Sequence, residues 1–232
     1  MVSIGGPTTV DEPKFGPIAT HLRFENELVK VWEMDLAPGE KCGLHRHTMD
    51  YVLYILEGGR IAVESPGKTS NRFPGQSNYE LEVGARTISY VPAGGSESAR
   101  NVGTSRFREA IFEMKQALPA GTNPGFALTE ALTGRRADAG VMTILLNTRI
   151  RAIEATLAPG GEIGMRHHDC DAAVFVIEGG RVKMIEKSGN GEEQAREAIL
   201  DSSTVLWQPR GAYRNTINRG DRPYRELRVE FR

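Results

Sequence analysis

The chain has 232 residues, 39% of them apolar and 25% charged, with a net charge of −1. That balance excludes the basic excess of a nucleic-acid binder and the low hydrophobicity of a disordered chain. No apolar run reaches the ~18 residues needed to span a bilayer as a helix. The opening MVSIGGPTTVDEPKFGP has no basic segment followed by an apolar one, as a secretion signal would. The expectation is a cytoplasmic protein with no membrane partner, whose two cysteines, Cys42 and Cys170, are free thiols.

Taken in order, residues 1–20 read as a Pro/Gly-bearing arm able to pack on another lobe or another subunit. HLRFENELVKVWEMDLAPG gives one or two strands and a turn at Pro38-Gly39. Leu44–Leu56 gives one long strand or two with a bend, and Arg60–Glu64 a further strand closed by Ser65-Pro66-Gly67. Residues 66–78 are rich in turn formers and read as a loop, and the segments Leu81–Pro92 and Phe107–Met114 as strands. Residues 117–140 read as an interdomain linker with one short helical candidate, Phe126–Leu132. In the remainder, 141–232, only Glu192–Leu200 has helix character, with a β-hairpin as the alternative. Short strands with 26 Gly and 12 Pro predict an all-β sandwich or barrel.

The chain also repeats itself. With Ala37 over Ala158, an offset of 121, APGEKCGLHRHTMDYVLYILEGGR lies over APGGEIGMRHHDCDAAVFVIEGGR. Further on the offset becomes 117, placing YVPAGGSESARN over WQPRGAYRNTIN, Glu109 over Glu226 and Glu113 over Glu230. This is a duplication, with one domain at 21–116 and another at 141–232.

The first copy carries His45 and His47, which share a face if their segment is a strand. Two imidazoles on one face can share a metal ion. By the same parity Tyr51 faces inward with them and Asp50 outward. Two simpler readings compete: barrel-wall hydrogen bonding for the histidines, and a core aromatic for Tyr51.

Gly39, His45, His47 and Gly58, followed by Pro92, Gly94 and Asn101, have the spacing of the two cupin motifs, and the chain resembles a bicupin over nearly its whole length. It departs from that pattern in three respects. Tyr51 stands where the family has a glutamate, Glu97 stands where it has its third histidine, and Gly84 lies two residues too far from the second motif. The resemblance implies two tandem antiparallel barrels of the jelly-roll kind. It also implies one divalent metal in the first copy, at His45, His47 and Glu97. Two histidines and one carboxylate are the donor set of non-haem Fe(II) sites, so Fe(II) is favoured over Mn, Ni, Cu or Zn. Glu97 could instead be an exposed loop carboxylate.

In the second copy the ligand positions become Arg166, His168, Ala172 and Arg214, and guanidiniums do not ligate cations. Arg166, His168 and Arg214 would suit an anion, although salt bridges to Asp169 or Asp171 are the simpler reading of the arginines. The function expected is that of a metal-dependent enzyme. The leading form is an Fe(II) dioxygenase acting on a small organic acid, diketone or aromatic, with Tyr51 orienting or protonating an intermediate. A non-catalytic binding or sensing module and a metal-assisted isomerase or lyase are the alternatives. The protein is expected to be a homodimer.

Overall fold

The computed structural model describes residues 14–68, 75–117, 128–129, 140–187 and 191–232. The first half forms β1 (His21–Glu25), β2 (Val29–Leu36), β3 (Lys41–Arg46), β4 (Tyr51–Glu57), β5 (Gly59–Glu64), β6 (Asn78–Val83), β7 (Ile88–Val91), β8 (Ser96–Asn101) and β9 (Phe107–Met114), with β10 (Leu128–Thr129) following. The second half forms β11 (Gly140–Leu146), β12 (Ile150–Leu157), β13 (Arg166–His167), β14 (Asp171–Glu178), β15 (Gly180–Lys187), β16 (Glu193–Leu200), β17 (Val205–Gln208), β18 (Tyr213–Asn218) and β19 (Tyr224–Phe231). Among the described residues there is no α-helix, only a 3-10 turn at Pro66–Lys68.

Each half is a barrel of two antiparallel sheets. The first pairs β1-β2-β9-β4-β7-β10 with β3-β8-β5-β6, and the second pairs β11-β12-β19-β14-β17 with β13-β18-β15-β16. The duplication holds at the level of register: His45 lies opposite Glu97, and Arg166 opposite Arg214.

Along β9 and β19 successive side chains serve different cores. Phe107 and Ile111 point into the first barrel, while Ala110, Phe112 and Met114 point out. In β19, Tyr224 points in while Leu227 and Val229 point out. The outward faces meet. Val29, Val31, Val52, Tyr54 and Phe112 of the first barrel share one cluster with Leu145, Ile150, Phe175, Leu227 and Val229 of the second. The two large sheets are therefore buried on both faces, which is why YVLYILE and DAAVFVIE read as near-continuous apolar runs instead of alternating.

A tight corner recurs where the chain passes to the next sheet. A Cβ on Gly58 would stand 2.3 Å from the Val83 carbonyl oxygen, and one on Gly179 2.2 Å from that of Leu200. Both corners exclude any side chain.

Two open alternatives are resolved and one expectation changes. His45 and Tyr51 belong to two strands in opposite sheets, because the chain crosses between sheets at 47–50; His47 still pairs through backbone bonds with Gly95 and Gly94 (2.8 and 2.7 Å). Within the helical candidate Phe126–Leu132, Leu128 and Thr129 form a strand on the β7 edge, and the rest lies outside the described residues. Glu193–Leu200 takes its hairpin alternative, paired along its whole length with β15. Residues 1–13 of the arm lie outside the described residues. Beyond them, the Gly16 N–H donates to the Leu44 carbonyl (2.9 Å), and Ile18 and Ala19 are buried in the first barrel's own interior.

Candidate metal centre

β3 and the turn after it carry the two histidines, β8 carries Glu97, and β4 carries Tyr51. Their side chains converge inside the first barrel, on a cavity of about 30 Å3 also lined by Met34, Leu53, Glu109 and Ile111. Donor atoms of His45, His47 and Glu97 lie within 4.8 Å of one another. His45 and His47 are buried.

The tautomer of His45 follows from its neighbour. Its Nδ1 is 2.9 Å from the Gly43 carbonyl oxygen, which can only accept, so Nδ1 carries the proton and Nε2 presents its lone pair. Burial, then the adjacent His47, holds the His45 imidazole below its ordinary pKa, which keeps it neutral. Nε2 of His47 lies 3.8 Å from Oε1 of Glu97, too far for a hydrogen bond. That gap suits two ligands of one ion, since bonds of roughly 2.0–2.2 Å separate neighbouring ligands by about 3–4 Å. Nδ1 of His47 is buried with no hydrogen-bond partner. The donor set therefore fits a divalent transition metal.

The Tyr51 ring stacks on His47, with centroids 4.1 Å apart, and so lies beside the donors. Asp50 turns outward to Tyr90 (2.7 Å) and Arg149 of the second barrel. Cys42 sits 3.7 Å from Nδ1 of His45, and burial, then Glu109 and Glu97, pushes its thiol up to about 11; the converging donor group, His45, His47 and Glu97, does not include it.

Two acidic residues of this interior escape the motif reading. Glu109 lines the cavity, and Glu113, opposite Tyr51, accepts from the Trp32 indole at 2.9 Å. Burial holds the Glu113 carboxyl above its ordinary pKa. Both point inward on β9, but its outward face carries Arg108 beside Ala110, Phe112 and Met114, so alternation in the sequence does not mark them as interior.

The second barrel arranges the equivalent positions differently. His168 and Arg214 are buried, but Arg166 is exposed, and Arg214 places Nη2 2.7 Å from the sulfur of Met184. Arg166, His168 and Arg228 line a second cavity, of which Arg214 is not a lining residue. The expected salt bridges to Asp169 and Asp171 are absent among the described residues: Asp169 pairs with His167 (2.8 Å), and Asp171 accepts from the Arg210 N–H (2.9 Å). Arg228, on β19, was missed because its strand is buried on both faces and sequence parity does not say which face is the interior.

Residues 15–109 match the family model described as auxin binding protein. Among solved structures, AerE from Microcystis aeruginosa is similar over 88% of both chains, at 12% identity and a TM-score of 0.61. An oxalate decarboxylase covers 88% of this chain with 69% of its own, at 16% identity and a TM-score of 0.65. The oxalate decarboxylase from Bacillus subtilis, in its structure at pH 4.6, covers 93% of this chain with 77% of its own, at 14% identity and a TM-score of 0.63. No curated protein sequence matches significantly. The chain therefore has the cupin fold, in two tandem copies, and its first barrel brings together a His-His-Glu group able to hold a metal ion. Among the described residues, no helix is long and apolar enough to cross a membrane.

Proposed function

We propose that the first barrel is the active site of a metal-dependent enzyme, a non-haem Fe(II) dioxygenase acting on a small organic acid or diketone. The observation that carries this reading is the convergence of His45, His47 and Glu97 on one cavity inside the barrel. Two histidines and one carboxylate leave coordination positions open for substrate. The metal would supply Lewis acidity and, as iron, a place for oxygen. The protein's own part is to hold His45 Nε2 unprotonated through Gly43, to exclude water with Leu53, Ile61 and Ile111, and to set the Tyr51 hydroxyl at the cavity wall for proton delivery. The lining, two histidines, two glutamates and a tyrosine set among aliphatic side chains, suits a small polar substrate.

A second reading, oxygen-independent lyase or decarboxylase chemistry, is supported by the fold likeness to the Bacillus subtilis oxalate decarboxylase, which has Mn(II) centres. One experiment separates these readings. Protein reconstituted anaerobically with Fe(II) or Mn(II) and desalted is analysed for metal, then supplied with small acids in an oxygen electrode. About one metal per chain, lost in the His45→Ala/His47→Ala protein, with oxygen uptake on one substrate, is the expected result. Turnover without oxygen uptake selects the second reading. Retention of no metal by the wild type overturns both and leaves a binding module.

A further inference from the structure

The interior of the second barrel holds more hydrogen-bond donors than acceptors. Nη1 of the buried Arg228 lies 3.4 Å from Nδ1 of His168. A guanidinium only donates, so Nδ1 accepts and the ring proton sits on Nε2. The neutral ring this requires agrees with its pKa, which burial, then Arg228 and Arg214, pushes down to about 4. That Nε2–H is buried with no partner, as are the Nε–H groups of Arg228 and Arg214, and His168 itself is only 4% exposed. Buried polar groups in folded proteins are nearly always paired, so such a cluster calls for an acceptor.

Fixed charge points the same way. Glu230 is taken by Arg151 at 2.6 Å. Glu226 accepts from the Tyr224 hydroxyl (3.0 Å) and from Arg228 (3.4 Å), and it stands alone beside two buried guanidiniums, Arg228 and Arg214. Glu186, opposite Arg214 on β15, is exposed and pairs with Arg196. Arg166 makes no ion pair among the described residues. Arg151, Arg166, His168 and Arg228 line one cavity of about 110 Å3 together with Glu230, whose charge Arg151 takes up, so three guanidiniums face one carboxylate and there is room for a small polyatomic ion.

We propose that the mouth of the second barrel binds a small oxyanion, a carboxylate or a phosphate, between Arg166, Arg228 and the Nε2–H of His168. Such a ligand consists of acceptors and carries the missing negative charge, and guanidinium forks match its geometry. The same charges repel a cation, so the two barrels take ligands of opposite sign. The site does not depend on the first barrel's chemistry.

The test is calorimetric titration of the metal-stripped full-length protein with inorganic phosphate and, separately, with oxalate, at fixed ionic strength and with chloride as control. One molecule of either probe per chain is expected, and the tighter probe identifies the class. Arg228→Met should abolish binding. Arg166→Ala, at an exposed position that does not threaten folding, should weaken it about tenfold or more, as loss of a charge-assisted hydrogen bond does. The His168 Nε2–H resonance should shift on saturation. Binding that both variants leave unchanged would place the ion elsewhere and overturn the proposal. So would the absence of binding by either probe at roughly 10 mM, weaker than any specific site of this kind, and the arginines would then be structural only.

Discussion

Tyr51 illustrates how one position can serve packing or chemistry. Its ring stacks on His47, and it is buried at 3% exposure. Tyr51→Phe keeps the stack and removes only the hydroxyl. The expected outcome is unchanged metal content with turnover lowered roughly 100-fold, at the low end of what a general acid contributes. Full turnover in that variant would reduce Tyr51 to a core aromatic. At this scale much of the site was legible. The i, i+2 spacing of His45 and His47, with Glu97 at the second motif, is a local pattern that survives folding. Glu109, Glu113 and Arg228 were not legible as interior groups. Their strands are covered on both faces, so alternation alone does not separate the barrel interior from the contact between barrels.

At the scale of the element, the repeated corner is the sharpest constraint. Gly58 and Gly179 hold equivalent places, and each lies against the carbonyl of a strand end in the facing sheet. Neither has a positive φ, so close approach is the reason for glycine there. Gly58→Ala must push back the Val83 backbone, and a loss of about 1–3 kcal/mol, the range for overpacking, is expected in urea unfolding. The same substitution at Gly43, whose Cβ would meet nothing within 4 Å, is the control and should cost much less. Propensity misled only where tertiary pairing overrode it. EQAREAIL contains good helix formers, yet it forms β16 because β15 offers a complete antiparallel partner.

For the whole molecule, the contact between barrels matters most, and it lies beyond what a repeat in sequence reveals. A duplication specifies two similar units but not which faces they bury against each other. At this contact Glu154 accepts from the Tyr54 hydroxyl at 3.0 Å and pairs with Arg86 and Arg225, both at 2.9 Å. Glu154→Ala leaves two guanidiniums without their shared carboxylate in a largely buried setting. A loss of about 3–5 kcal/mol is expected. Because the apolar cluster is common to both halves, that loss should appear as one shifted transition, by tryptophan fluorescence and circular dichroism alike. Two separated transitions would show that the barrels unfold independently. The common cluster also bears on how such a protein diverges. The residues that hold the halves together point outward from the large sheets, whereas His45, Glu97, Arg166 and Arg214 lie on the small ones. His45 opposite Glu97 and Arg166 opposite Arg214 occupy matching registers with opposite polarity. One duplicate can thus exchange its ligand preference while the scaffold it shares with the other stays intact.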